Sequence, residues 1–184
     1  LQLCIEAIGC ERVHSLHVDT GFMRLGESDE IMAFLAQEGF ENLYIERAEA
    51  TFLSHLDGVA EPEKKRLIIG KLFVEVMQQA MAKLQLGADW KLAQGTIYPD
   101  TIESGGTKTA ATIKTHHNRV PEIERMIERG QVVEPIKELY KDEVRLLGRQ
   151  LGLPDRLLDR HPFPGPGLAI RALCSDRDEP EEGY

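Results

Sequence analysis

Two carboxylates three residues apart occupy the end of the stretch AQGTIYPDTIES, residues 93–104. On a helical turn Asp100 and Glu103 would point to the same side, because positions i and i+3 are neighbours on a helix surface. Hard carboxylate oxygens of this kind suit Mg²⁺. Gly95 lies just before them and allows a ligand to approach the backbone closely. The stretch therefore predicts a magnesium site, with two solvated acids on a turn as the alternative.

Three groups of cationic side chains have the chemistry to bind phosphate. Lys114 is followed by His116 and His117 in the segment IKTHHN, which is predicted to be a loop. Lys141 is placed at a predicted helix start, where free backbone N–H groups also attract anions. Arg66 belongs to the cationic first turn of a long helix, where positive charge opposes the helix dipole and an anionic partner would explain it. Solvated surface charge is the alternative in each case.

The most unusual segment is RHPFPGPGLAIR, residues 160–171, with three prolines and two glycines between His161 and Gly167. Proline fixes φ and forces the preceding residue into an extended conformation, so this segment should be a stiff strap. A stiff strap would hold Arg160 and His161 with little residual entropy. A rigid exit from the domain is the structural alternative.

The elements that must position these residues alternate along the chain. Strands are predicted over 12–21, 42–48 and 90–96, and helices over 28–39, 61–85, 122–130 and 141–154. Strand–helix–strand order favours parallel pairing with crossover helices, which predicts an α/β fold with a doubly wound, mostly parallel sheet. Ligands bind outside the carboxyl ends of such strands. The turns at residues 19–21 and 94–96 lie at two of those ends.

Composition limits the class of protein. A length of 184 residues suggests one domain, and a net charge of −9 argues against a broad nucleic-acid surface. No apolar run approaches the length of a membrane span, so no membrane partner is expected. Three cysteines without metal-site spacing favour a reducing compartment, and a cytoplasmic location is predicted. Residues 103–122 are predicted to form a loop over the site.

Six stretches, in their order along the chain, resemble the glutamine-hydrolysing guanosine monophosphate (GMP) synthetases. They are HVDTGFMR, PEKKRLIIGKLF, LAQGTIYPDTIES, IKTHHN, EPIKELYKDEVRLLGRQLGLP and RHPFPGPGLAIR. The resemblance covers residues 13–173, and its last stretch is specific to that family. It implies the ATP-pyrophosphatase domain, an adenine-nucleotide α-hydrolase-like fold, over residues 1–171. Residues 172–184 would be an acidic linker or tail that leads toward a dimerisation domain.

The resemblance also implies a two-step reaction. ATP would adenylate the 2-oxygen of xanthosine monophosphate (XMP), and ammonia would then displace AMP to give GMP. Mg²⁺ would neutralise the pyrophosphate leaving group. Ammonia would come from a glutaminase domain or subunit, and the enzyme is expected to be a homodimer. The family's phosphate loop is not found in these residues, so the 184 residues alone are expected to be inactive.

Matching motifs assign roles to individual residues as consequences of the resemblance. The ATP-binding residues would be Val18, Gly95 and Asp100, the metal ligand Glu103, the XMP-binding residues Arg66, Arg160 and His161, and the catalytic residues Lys141, Lys114, His116 and His117. Two other readings stay open. The chain would be another ATP-pyrophosphatase, such as an NAD synthetase relative, or a non-catalytic nucleotide-binding homologue.

Overall fold

A computed structural model describes residues 1–87, 89–104 and 121–159, together with Ala169. Helices and strands alternate over most of this length. In chain order they are α1 Gln2–Ile8, β1 Ser15–Asp19, α2 Glu27–Gln37, β2 Leu43–Arg47, α3 Glu49–Leu56, α4 Pro62–Lys83, β3 Leu92–Ala93, α5 Tyr98–Ser104, α6 Pro121–Glu128, β4 Val132–Val133, α7 Lys141–Gln150 and α8 Asp155–Leu158. A short 3₁₀ turn, Cys10–Arg12, precedes β1.

The strands form parallel pairs. β1 pairs with β2, with Ser15 opposite Leu43 and Asp19 opposite Arg47. β3 pairs with β4 in the same sense, with Leu92 opposite Val132. Within the described ranges these pairs are two separate two-stranded sheets. The predicted α/β class and its parallel pairing are confirmed, and the single doubly wound sheet stays a prediction.

Helix α4 is the longest element and carries two apolar clusters. Pro62 occupies its first turn, where the missing N–H costs no hydrogen bond. The predicted four-residue spacing is confirmed at Leu72, Val76 and Ala80, which are buried. The first cluster consists of Val18, Phe22, Ala48, Phe52, Leu56, Ile69, Leu72, Val76 and Ala169. It packs α3 and α4 against β1 and so fixes the strand that carries the first candidate edge.

The second cluster joins the two sheets. Val74 and Met77 of α4 meet Ile123 of α6, and Leu16 of β1 and Leu92 of β3 both pack against them. The side chains of α4 that point away from the first cluster therefore hold β3 in place. Of the helices that the structure describes, none has the length and apolarity needed to cross a bilayer.

Two element boundaries differ from the prediction for physical reasons. Ser28 is expected to cap α2, but the helix begins at Glu27 and Ser28 lies inside its first turn, bonded to His17. Strand β3 is shorter than predicted because the chain turns after Gly95 into α5. Elements α3, β4, α5 and α8 are absent from the prediction. Gly39 ends α2 as expected, at φ 81°.

Candidate functional site

The carboxyl end of β3 opens onto free space at Gly95. The Gln94 N–H donates to the Val133 carbonyl at 2.9 Å, which continues the β3–β4 ladder by one residue. A Cβ at Gly95 would meet no atom of the described residues within 4 Å. On either side, Gln94 Oε1 and the fully buried Thr96 Oγ1 have no hydrogen-bond partner in the described structure. A buried polar atom without a hydrogen-bond partner costs free energy of folding. A ligand or water at this edge would supply the missing partners.

Helix α5 begins immediately after this opening. Asp100 Oδ2 accepts the Ile97 N–H at 3.0 Å, which folds the chain into the first turn. Asp100 and Glu103 both lie on α5, as their spacing predicts. In the described part of the chain no three His, Cys, Asp or Glu side chains gather to hold a metal. Mg²⁺ commonly takes one or two carboxylates and completes its shell with phosphate and water, so Asp100 fits such an ion only together with a phosphate ligand.

Lys141 is brought to the same edge by backbone and ring contacts. The Tyr98 N–H donates to the Leu139 carbonyl at 2.9 Å. The rings of Tyr98 and Tyr140 meet edge to face with centroids 5.1 Å apart. Lys141, the exposed first residue of α7, follows directly, and the Tyr140 N–H donates to Glu143 Oε2 at 2.7 Å. The structure therefore brings the segment that carries Lys141 to the edge that carries Gly95 and Asp100, although Lys141 lies far from both in sequence.

Sequence reasoning missed the two tyrosines at this edge. Both rings are partly exposed beside Lys141. An aromatic residue next to a cation is the only sequence signal, and it does not reveal a partner more than forty residues away. The pair adds an apolar surface to an otherwise polar edge.

The carboxyl end of β1 is the second candidate edge. The Val18 side chain is buried in the first cluster, so any nucleotide contact by Val18 would use its backbone. The chain then turns, and the Gly21 N–H donates to Asp19 Oδ1 at 3.0 Å. Gly21 has φ 80°, and a Cβ there would lie 2.8 Å from Glu49 Cγ. The predicted turn at residues 19–21 is therefore present and requires glycine.

A chain of polar side chains supports this turn. His17 Nε2 lies 3.0 Å from Ser28 Oγ. The Ser28 side chain also lies near Asp19 and helps to lower the pKa of its carboxyl. An ionised carboxylate only accepts hydrogen bonds, so the Ser28 hydroxyl donates to Asp19 and accepts from the Nε2–H of His17. Arg47 Nη1 lies 3.8 Å from Asp19 Oδ2, and Arg47 also pairs with Asp29.

The pKa values of His17 and Asp19 are both lowered. Burial lowers the pKa of His17, and Asp19 opposes this effect while Arg47 adds to it. Burial alone would raise the pKa of Asp19. The hydrogen bonds from Gly21 and Ser28, with the charges of His17 and Arg47, outweigh burial and lower it. At neutral pH the arrangement is a neutral imidazole beside an ionised carboxylate.

The cationic first turn of α4 is partly neutralised by its own glutamates. Lys64 Nζ lies 2.8 Å from Glu61, and Arg66 forms an ion pair with Glu63. These local pairs account for the cations without an anionic ligand, so the helix-dipole argument loses its force. The Arg66 side chain remains one quarter exposed. The fully buried Lys65, which the sequence did not single out, lies between the two pairs along the chain.

Several predicted site residues lie outside the described residues. They are Lys114, His116, His117, Arg160 and His161, and the side chain of Glu103 is also outside them. The roles assigned to these residues stay predictions.

Comparison with known proteins identifies relatives that match almost the whole chain. No family model matches it. A probable glutamine-hydrolyzing GMP synthase of Leptospira interrogans is 51% identical over 180 residues, which are 96% of this chain and 29% of the relative. Glutamine-hydrolyzing GMP synthases of Methylococcus capsulatus and Pseudomonas aeruginosa are 50% and 49% identical over 95% of this chain and 33% of theirs. The chain spans about a third of the length of these curated relatives.

Proposed function

We propose that this chain, a homologue of one segment of the glutamine-hydrolyzing GMP synthases, carries out the ATP-dependent amination of XMP within a longer protein. The observation that carries the proposal is about 50% identity across 95% of the chain. It extends to the fold, which would be an ATP-pyrophosphatase domain over residues 1–171 with one doubly wound sheet, followed by a linker at 172–184. The homodimer and the cytoplasmic location belong to the same proposal.

The first step would form a phosphorus–oxygen bond. The 2-oxygen of XMP attacks the α-phosphorus of ATP, the bond to the β-phosphate oxygen breaks, and pyrophosphate leaves. Lys141 would place a compact positive charge beside the pyrophosphate oxygens, since it is exposed at the edge that Gly95 leaves open. Asp100, with Glu103, would hold Mg²⁺, whose charge offsets that of the leaving group.

The second step would exchange oxygen for nitrogen at C2. Ammonia released from glutamine attacks that carbon, the carbon–oxygen bond breaks, and AMP leaves. Arg66 would bind the XMP phosphate with Arg160 and His161, and Lys114, His116 and His117 would close over the substrates. Excluding water is the demand on such a lid, because water would hydrolyse the adenylated intermediate.

The β3 edge gives independent support to this placement. Two buried polar atoms without partners flank Gly95 within the described chain, and a lysine and a carboxylate lie beside the same opening. This combination suits a polyphosphate with a divalent ion better than an apolar ligand.

The test uses the longer protein that contains this chain, with ATP, Mg²⁺ and ammonium, and follows pyrophosphate release with and without XMP. We expect release that depends on XMP and equals the GMP formed. Replacing ammonium with glutamine tests whether that protein generates its own ammonia. Absence of release would favour the non-catalytic nucleotide-binding homologue. Release with a different acceptor would favour another ATP-pyrophosphatase, such as an NAD synthetase relative.

A further inference from the structure

We propose that Ser28 and His17 are positioning residues that hold the turn at residues 19–21 in the form that accepts the adenosine part of ATP. This inference rests on the proposed function, and it assigns the β1 edge to ATP because the resemblance implies that Val18, near the end of β1, binds ATP. Neither side chain need touch the nucleotide. Their effect passes through the Asp19 carboxylate to the backbone of the turn.

The two faces of β1 carry different side chains and make different contacts. Alternate side chains of a strand point to opposite faces, so His17 and Asp19 share one face and Val18 takes the other. Val18 is buried in the first cluster and anchors the strand. His17 and Asp19 face the start of α2, where Ser28 bridges them. The backbone at the end of β1 is therefore held from both sides.

Ser28 is enclosed too well to act on a substrate directly. It is 3% exposed, and its hydroxyl is engaged by His17 and Asp19 at once. A nucleophile or a ligand contact needs access that this position lacks. The hydroxyl instead fixes the direction of the hydrogen bonds, since it donates to Asp19 and accepts from His17.

Asp19 passes this constraint to the turn. Its Oδ1 accepts the Gly21 N–H at 3.0 Å, and its own carbonyl accepts the Ala48 N–H at 2.9 Å, next to β2. Gly21 has no Cβ and would otherwise sample many conformations. Without the Ser28 hydroxyl the carboxylate gains rotational freedom, and the turn spends less time in the form that a nucleotide needs. The expected result is weaker ATP binding with an unchanged chemical step.

The experiment compares Ser28→Ala, Ser28→Thr and the control Ser54→Ala in the longer protein. Ser54 is exposed on α3, and its hydroxyl contacts only near neighbours on that helix in the described structure, the Thr51 carbonyl at 3.0 Å and His55 Nδ1 at 3.5 Å. We expect Ser28→Ala to raise the KM for ATP about tenfold, which corresponds to one lost hydrogen bond. The KM for XMP and kcat should stay within about twofold of the unsubstituted protein. Ser28→Thr keeps the hydroxyl and should recover most of the ATP affinity.

Each outcome separates this inference from the proposed function. An unchanged KM for ATP in Ser28→Ala overturns the inference, and so does a joint loss of kcat and of affinity for both substrates, which is the pattern of structural damage. If Ser28→Ala does not fold, His17→Gln tests the same chain of bonds, and an unchanged KM for ATP there overturns the inference. Failure of the unsubstituted protein to form GMP refutes the proposed function instead.

Discussion

Leu16 of β1 and Leu92 of β3 pack against one apolar cluster, although their strands belong to separate two-stranded sheets in the described structure. The cluster is built around Val74 and Met77 of α4, so this helix connects the strand before Asp19 with the strand before Gly95. Protein interiors are close-packed and transmit small displacements. The relative position of the two candidate edges is therefore set by apolar contacts that lie away from both.

Gly21 provides a test of the β1 edge at the level of the backbone. Gly21→Ala would be strained twice, by φ 80° and by the approach of its Cβ to Glu49 Cγ. Gly39→Ala is the matched control, because φ is 81° there and a Cβ meets nothing within 4 Å. We expect Gly39→Ala to lower the free energy of unfolding by about 1 kcal/mol and Gly21→Ala by about 2 kcal/mol or more. Urea denaturation of both variants measures the difference, and equal losses would show that Glu49 moves aside freely.

His17 should make stability depend on pH. Its pKa is lowered in the folded protein, chiefly by burial, so the unfolded chain binds the proton more readily. The contribution is fully present above the ordinary value of 6.5 and is lost as the pH falls through the lowered pKa of the folded state. The pKa of Asp19 is also lowered. Its contribution to stability is therefore present above its ordinary value of 3.8 and is lost only as the pH falls below that value.

His17→Gln should flatten the dependence of the free energy of unfolding on pH below 6.5, the ordinary pKa of histidine. Denaturation midpoints measured across this range for both proteins provide the comparison. A slope that survives the substitution would assign the pH dependence to other groups.

Arg66 and Lys64 form a matched pair for XMP binding. Each is paired with a glutamate three residues before it, Glu61 for Lys64 and Glu63 for Arg66, but only Arg66 is proposed to bind the XMP phosphate. We expect Arg66→Ala in the longer protein to raise the KM for XMP by about tenfold to a hundredfold, the range for a hydrogen bond to a charged group. Lys64→Ala should change it by less than twofold. Equal effects would indicate that α4 contributes only a general positive field.

Lys141 should affect the chemical step rather than XMP affinity. Lys141→Ala removes the positive charge proposed to face pyrophosphate, and a loss of about a hundredfold in pyrophosphate release is expected. Lys137, exposed in the segment before α7, serves as the control and should tolerate alanine. Single-turnover release under saturating XMP measures the step. A normal rate in Lys141→Ala would remove this residue from the proposed catalytic set.

The sequence predicts best those features that depend on residues within a single helix or strand. Pro62 and the four-residue apolar spacing of α4 lie within one element, and that helix was predicted almost to its ends. The cationic first turn of α4 predicts an anionic partner or solvated charge, and neither expectation includes the ion pairs with Glu61 and Glu63 at i−3, which the sequence contains. The residue type of Ser28 predicts an N-cap for α2, but in the structure its hydroxyl bonds to His17 of β1.

Other features depend on contacts that no local pattern encodes. The Tyr98–Tyr140 pair forms because the Tyr98 N–H bonds to the Leu139 carbonyl, which requires β3 and β4 to be paired first. The burial of Lys65 between the exposed Lys64 and the partly exposed Arg66 likewise results from how α4 packs. Residues that look alike in sequence therefore differ in burial and contacts because of tertiary packing.

The first cluster cannot be completed until Ala169 has been synthesised, because this residue is part of it. This residue is 1% exposed and completes the first cluster together with Val18 and Phe22, near the other end of the chain. Contacts between such distant residues slow folding, because a long segment must be ordered before they can form. A growing polypeptide would keep part of the surface around Phe52 and Leu56 uncovered until residue 169 has left the ribosome. Apolar surface that stays uncovered in this way favours aggregation and chaperone binding.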